Sequence, residues 1–251
     1  MSLNQSQLKH PILALLKINY DENKIIDEVI SNEQHFLTAG VAKSMILHPP
    51  SELPIIDQYH LDRVFYNIVN SDGTFSHARM IEDGFAVNTW KTINLLEVPG
   101  YLVSRYGSNK ERIDHIGKWV WRDDISFPYL TSLVKSLPFE RVDIVRIMTI
   151  RGPGCGPAHH DINYDHEKFF NSDLSLVNIN LCPANAGAPM KTLVKGQILD
   201  VTDKAFAFDD RVYHGVPYFD SGFRITIKIE GRMPYEKLHE MIDPAADIFM
   251  P

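Results

Sequence analysis

Hydrophobic and polar positions along this chain follow two different periods, and the change falls near residue 140. Before it, Ile25, Ile26, Val29 and Ile30 share one helical face, with Asp21 and Glu22 at the N-terminal end, where acidic side chains suit a first turn. Tyr129, Leu130, Leu133, Val134 and Leu137 make a second helical stripe. Ser126 is the candidate N-cap of that helix and Pro138 ends it. Residues 63–70 (RVFYNIVN) read as a strand. From residue 142 the period is two. Strands are predicted at 142–151 (VDIVRIMTIR), 174–181 (LSLVNINL), 205–208 (AFAF) and 222–230 (GFRITIKIE). Clusters rich in Gly, Pro and Asp separate them: GPGCGP, CPANAGAP, FDDR and FDSG. Short strands joined by such turns predict a mostly β fold, a sandwich or barrel, with the upstream helices packed on its outside.

No repeat, low-complexity tract or Gly/Ser linker interrupts the pattern, so residues 1–251 read as a single domain. Within it, 1–140 is a mixed support region, 142–230 the β core and 231–251 a C-terminal extension. Apolar residues at 44% and charged residues at 23% are ordinary for a globular chain and exclude global disorder or a disulfide scaffold. Lys and Arg total 25 against 32 Asp and Glu, a net charge of −7 with no long basic run. That disfavours a nucleic-acid or anionic-membrane surface. No apolar window is long enough for a membrane span. The first apolar run covers only residues 11–16, with no basic residue before Lys9, a poor signal peptide. Cys155 and Cys182 form no CxxC pair and read as reduced thiols of a cytoplasmic protein. None of this fixes an oligomeric state.

Three segments carry candidate chemistry: Ala158-His159-His160-Asp161, then Asp209 to His214 (DDRVYH), then Arg224-Ile225-Thr226. Strand alternation puts His159 and Asp161 on one face and His160 on the other. A bulge would exchange His159 for His160. His214, on another strand, completes two imidazoles and a carboxylate. That donor set leaves positions open on an octahedral metal and suits non-heme Fe(II) better than tetrahedral zinc. In 222–230, Phe223, Ile225, Ile227 and Ile229 share one face, and Arg224, Thr226 and Lys228 the other. An arginine on a core strand needs a partner. A dicarboxylate ligand supplies one, with Thr226 adding a hydroxyl.

This arrangement resembles the Fe(II)/2-oxoglutarate-dependent dioxygenases, whose pattern is HxD…H followed about ten residues on by Arg-x-Ser/Thr; here it is His159-x-Asp161…His214, then Arg224-x-Thr226. The segment FDDRVYHGV (208–216) is similar to that of aspartyl/asparaginyl β-hydroxylase-like members, in their small-molecule amino-acid hydroxylase branch. The resemblance covers about residues 142–230. It implies a double-stranded β-helix (jelly-roll, cupin-like) core. It implies Fe(II) held by His159, Asp161 and His214, and 2-oxoglutarate held at its distal carboxylate by Arg224 with Thr226. It further implies use of O2 to hydroxylate an unactivated C–H bond of a small substrate, a free amino acid or derivative, with release of succinate and CO2. Asp161 disfavours halogenation, whereas desaturation and ring closure stay open. Two alternatives stand beside this reading: a peptide or protein side chain as substrate, and a cupin-like barrel that binds a metal or ligand without oxidising it.

Other residues carry two readings each. Arg146 is either an edge position with a salt bridge or a contact to a substrate carboxylate. Asn178 and Asn180 share a strand face and are either satisfied core amides or ligand contacts. Asn163 and Tyr164 follow Asp161 and are candidates to flank the metal. Trp90 either packs in the core or lines a substrate entrance. Asp209 and Asp210 either orient the His214 imidazole or simply make a turn. Lys228 is expected near the barrel rim.

Overall fold

The computed structural model describes residues 10–38, 91–97, 118–152, 154–159, 176–202, 204–210, 212 and 214–250, with backbone alone at 37–38, 154–159, 176 and 218. The first half supplies β1 (Leu13–Leu15), α1 (Glu22–Ser31), β2 (Leu37–Thr38), β3 (Lys91–Asn94), β4 (Leu96–Glu97), β5 (Val120–Trp121) and α2 (Pro128–Ser136). The second half supplies β6 (Arg141–Arg151), β7 (Gly154–His159), β8 (Leu176–Asn185), β9 (Met190–Val194) and β10 (Gln197–Val201). It continues with β11 (Ala205–Phe208), β12 (His214–Phe219), β13 (Phe223–Arg232), α3 (Tyr235–Met241) and β14 (Ile248–Phe249). The strand predicted at 63–70 lies outside the described residues.

Strands β6 to β13 pass back and forth between two antiparallel sheets, with the β9–β10 hairpin kept within the smaller one. The larger has the order β14-β1-β11-β8-β13-β6-β3-β2, the smaller β10-β9-β12-β7, and β4 pairs with β5 separately. Four central strands of the larger sheet facing four of the smaller, filled in turn by the chain, make a double-stranded β-helix, the jelly roll expected. The termini widen the larger sheet, because β1 pairs with both β11 and β14.

Alternation decides what each face of the larger sheet meets. Ile225, Ile227 and Ile229 of β13, Val145 and Ile147 of β6, and Ile179 and Leu181 of β8 are wholly buried, in one cluster with Ile25 and Val29 of α1 and Leu130 and Val134 of α2. The helices therefore cover that face, each burying about one apolar stripe. Ile30, expected in the α1 stripe, is 50% exposed, so that stripe runs through Ile25 and Val29 instead. A smaller cluster of Leu13, Cys182, Met190, Val201, Phe206 and Phe208 joins residues of both sheets.

Local chemistry sets the element ends. Asp21 caps α1, accepting from the Lys24 N–H at 3.2 Å. For α2 the expected Ser126 cap is replaced. Phe127 is the N-cap residue without a side-chain bond, and the N–H groups of Tyr129 and Leu130 donate to Glu28 of α1 at 2.5 and 3.0 Å. A carboxylate from the neighbouring helix thus satisfies donors that are orphaned at any helix start. The strands at 142–151, 205–208 and 222–230 appear as expected. The one at 174–181 continues through Asn185, shortening the turn expected from CPANAGAP. The β9–β10 hairpin was missed. Its two-residue loop, Lys195-Gly196, has φ of 50° and 79°, the left-handed pair that matches strand twist. GPGCGP is not only a turn, because Gly154–His159 forms β7. As an edge strand of the smaller sheet, β7 tolerates Pro157 and the shifts in its pairing with β12.

Gly231 marks an irregularity in the β6–β13 pairing. A Cβ there would overlap the Arg141 carbonyl and lie 2.9 Å from Val142 Cα, both backbone atoms. Gly231→Ala is expected to lower stability by about 3 kcal/mol, the upper range for overpacking. Urea unfolding checks this, and an unchanged midpoint would refute the tight approach.

Candidate metal and cosubstrate site

The antiparallel pairing of β7 and β12 sets His214 opposite His159, while β9 sets Thr192 on its other side. The extra residue of β7 is absorbed between the pairs His214–His159 and Val216–Gly156. The residue paired across from His214 is His159. Asp161, Asn163, Tyr164 and Trp90 lie outside the described residues. Among the described residues no three His, Cys, Asp or Glu side chains group as a metal cage.

His214 is half-buried, with the Phe208 ring edge-on to it at a centroid distance of 4.9 Å. Its Nδ1 lies 2.9 Å from the Val212 carbonyl oxygen. A carbonyl only accepts, so Nδ1 carries a proton, and the ring when neutral has its lone pair on Nε2. Backbone carbonyls commonly fix metal-binding histidines in this way. Here the Val212 carbonyl orients the ring.

Arg224 is the second residue of β13 and only 2% exposed. Its Nη1 donates to the Ala188 carbonyl, its Nη2 lies 3.9 Å from Cys182 Sγ, and its Nε has no hydrogen-bond partner. No carboxylate among the described residues pairs with it. Burial pushes its pKa down, and the nearby Cys182 opposes this only in part. The Cys182 thiol is itself pushed up by burial. Thr226 Oγ1 lies 3.7 Å from the same sulfur, so guanidinium, hydroxyl and thiol converge from β13 and β8. An edge-strand explanation for Arg224 fails, because β13 lies between β8 and β6.

Further along the same face of β13 the interior remains charged. Lys228, expected at the rim, is 8% exposed; it pairs with Asp210 and lies 2.7 Å from Glu230 Oε1. Asp210 is correspondingly 5% exposed, more than a turn former. The reason is visible in the pattern: period two carries Lys228 and Glu230 onto the face of Arg224. Arg146 of β6 is the register partner of Lys228 and sits inside the larger sheet, which corrects its edge reading. Its Nε donates to Asn94 Oδ1 at 2.9 Å. On β8, Asn180 Nδ2 donates to Asn178 Oδ1 at 3.1 Å, while the buried Asn178 Nδ2 has no partner. Nothing in the sequence pattern marks Cys182, Glu230 or Asn94 as site residues, and it offers Asp210 only as a partner of His214 or a turn former.

No protein-family model and no curated protein matches the chain. Solved structures similar to it include an oxidoreductase of the 2OG-Fe(II) oxygenase family from Burkholderia pseudomallei, at 14% identity and TM-score 0.33, covering 86% of this chain and 94% of that one. Another is the non-heme alpha ketoglutarate dependent epimerase SnoN from nogalamycin biosynthesis, at 9% identity and TM-score 0.40, covering 95% and 87%. A third is a Pseudomonas putida prolyl-4-hydroxylase, at 13% identity and TM-score 0.31, covering 57% and 72%. The fold itself rests on the strand order of the two sheets. No helix among the described residues is long and apolar enough to cross a membrane.

Proposed function

We propose that this chain is an Fe(II)- and 2-oxoglutarate-dependent oxygenase that hydroxylates an unactivated C–H bond of a small substrate, a free amino acid or derivative. The observation that carries the reading is the buried guanidinium of Arg224, with an orphaned Nε and no carboxylate partner among the described residues. A buried cation left unpaired is costly, and a bound carboxylate is the group that would satisfy it. The donor chemistry fits the metal as well, through the His214–His159 register and the protonated Nδ1 of His214. His159, Asp161 and His214 would hold Fe(II), and Arg224 with Thr226 the distal carboxylate of 2-oxoglutarate. With both bound and O2 supplied, the centre provides an oxidant strong enough for a C–H bond, releasing succinate and CO2. The chain's own work is binding and orientation. Val212 holds the His214 ring by its Nδ1–H, the Phe208 ring packs against it, and Cys182 lines the wall between Arg224 and Thr226.

Asn178 supports a polar substrate, because a buried amide donor without a partner is a hydrogen bond to be made. We assign Asn178, Asn180 and Arg146 to that side of the cavity, with Asn163, Tyr164 and Trp90 as further substrate contacts. The preference for an amino acid over a peptide side chain rests on the likeness of residues 208–216 to the small-molecule branch.

Anaerobic Fe(II) titration with and without 2-oxoglutarate tests the centre. A visible charge-transfer band that needs both is expected; a metal spectrum indifferent to 2-oxoglutarate would mean a barrel that binds without oxidising. Succinate release over a panel of amino acids and short peptides, followed by mass spectrometry for one added oxygen, then separates the two substrate classes.

A further inference from the structure

The contacts that hold His214 lead back to a buried ion pair with no part in the reading above. Asp210 precedes His214 by four residues, in the connection between β11 and β12. Its Oδ2 accepts from Lys228 Nζ on the central strand β13, and both residues are less than a tenth exposed. On one side of Asp210, the Asp209 N–H donates to Ile12 O at 2.9 Å. On the other, the Val212 N–H donates to Asp209 O at 3.2 Å, closing a turn around Asp210. The Val212 carbonyl then takes the Nδ1–H of His214 at 2.9 Å. A continuous path therefore runs from β13 through Lys228, Asp210 and the turn to the imidazole. Glu230 touches the same lysine at 2.7 Å from its own strand, β13.

We propose that Lys228 and Asp210 are a positioning pair that fixes the turn presenting the Val212 carbonyl, and through it the tautomer and orientation of His214. Both charges are out of water, where truncating one partner of a buried pair is costly. That makes the turn a rigid support, where an exposed loop pair would yield. The consequence for a metal rests on the oxygenase reading; the consequence for the ring does not.

The test uses the full chain, metal-free and labelled with ¹⁵N-histidine. Long-range proton–nitrogen correlation reports which ring nitrogen of His214 is protonated, the signal being assigned by its loss in His214→Gln. The native protein is expected to show the Nδ1–H form alone. Lys228→Met and Asp210→Ala are each expected to give a mixture with the Nε2–H form, and their combination no more than either. Glu230→Gln is expected to leave the native tautomer. In parallel, Co(II) affinity is expected to fall about 10–100-fold in the two single variants, the usual effect of losing an outer-shell partner. Folded variants that keep a single tautomer overturn the pair. So does Glu230→Gln causing the same mixture, since the cluster would then act only through general stability. If a truncated variant fails to fold, Asp210→Glu, which keeps the charge and moves it by one methylene, is expected to give the mixture, and the native tautomer there overturns the pair as well. Failure of the native chain to bind Co(II), with the tautomer response intact, refutes the oxygenase reading and leaves the pair standing.

Discussion

Arg224→Met is expected to raise the melting temperature of the ligand-free protein while removing its stabilisation by 2-oxoglutarate. The two effects share one cause. The guanidinium is 2% exposed and has one backbone carbonyl, one distant thiol and an orphaned Nε in place of a carboxylate. Replacing buried charged groups by apolar side chains of similar volume is often neutral or stabilising by about 1–4 kcal/mol. Loss of the bond to Ala188 returns about 1 kcal/mol of that. The net gain of up to about 3 kcal/mol corresponds to a rise of up to roughly 12 °C for a chain of this size. With metal present, 2-oxoglutarate at a hundred times its Kd would stabilise the native protein by about 2.7 kcal/mol. In Arg224→Met the concentration needed should rise about 10²–10³-fold, because one side of a buried charge-assisted contact is gone. Differential scanning fluorimetry across a 2-oxoglutarate titration reads both. A lower ligand-free melting temperature together with an unchanged response to 2-oxoglutarate would show that Arg224 is a structural cation and that another group holds the cosubstrate.

The face of β13 that bears Arg224 was legible in the sequence because alternation is a property of the strand alone. GFRITIKIE assigns Ile225, Ile227 and Ile229 to one side and Arg224, Thr226 and Lys228 to the other, and any sheet built from it keeps that division. What alternation leaves open is whether both faces are covered. A polar face beside an apolar one reads as solvated, so Lys228 was placed at a rim. In the jelly roll the smaller sheet covers that face too, and the lysine is enclosed with Asp210 and Glu230. Contacts made across the fold were out of reach for the same reason. Glu28 caps a helix that starts a hundred residues later, and Cys182 meets Thr226 from another strand. Neither has a local pattern. The β9–β10 hairpin is a different case. Its Lys-Gly turn is a weaker signal than Asn-Gly, and it was hidden among stronger turn clusters.

His159→Ala and His214→Ala are each expected to abolish metal-dependent succinate formation, whereas His160→Ala is expected to retain it. Adjacent histidines make the sequence ambiguous by one position, and in a strand one position is the difference between two faces. The pairing favours His159, because the β7–β12 register sets His159 opposite His214. Residues directly opposite on an antiparallel pair have Cβ atoms about 4.5–5.5 Å apart, a separation that lets two imidazoles share one ion. Strand alternation would put His160, one residue along, on the opposite face. Loss of either ligand histidine should weaken Co(II) binding by more than about 100-fold, beyond what losing an outer-shell partner costs. The ring of His214 also packs on Phe208, so His214→Ala leaves a gap, and circular dichroism and thermal unfolding must show a folded variant before its silence counts. Full activity in His159→Ala with loss in His160→Ala would mean that the strand slips by one residue at its end. Full activity in His214→Ala would remove β12 from the centre altogether.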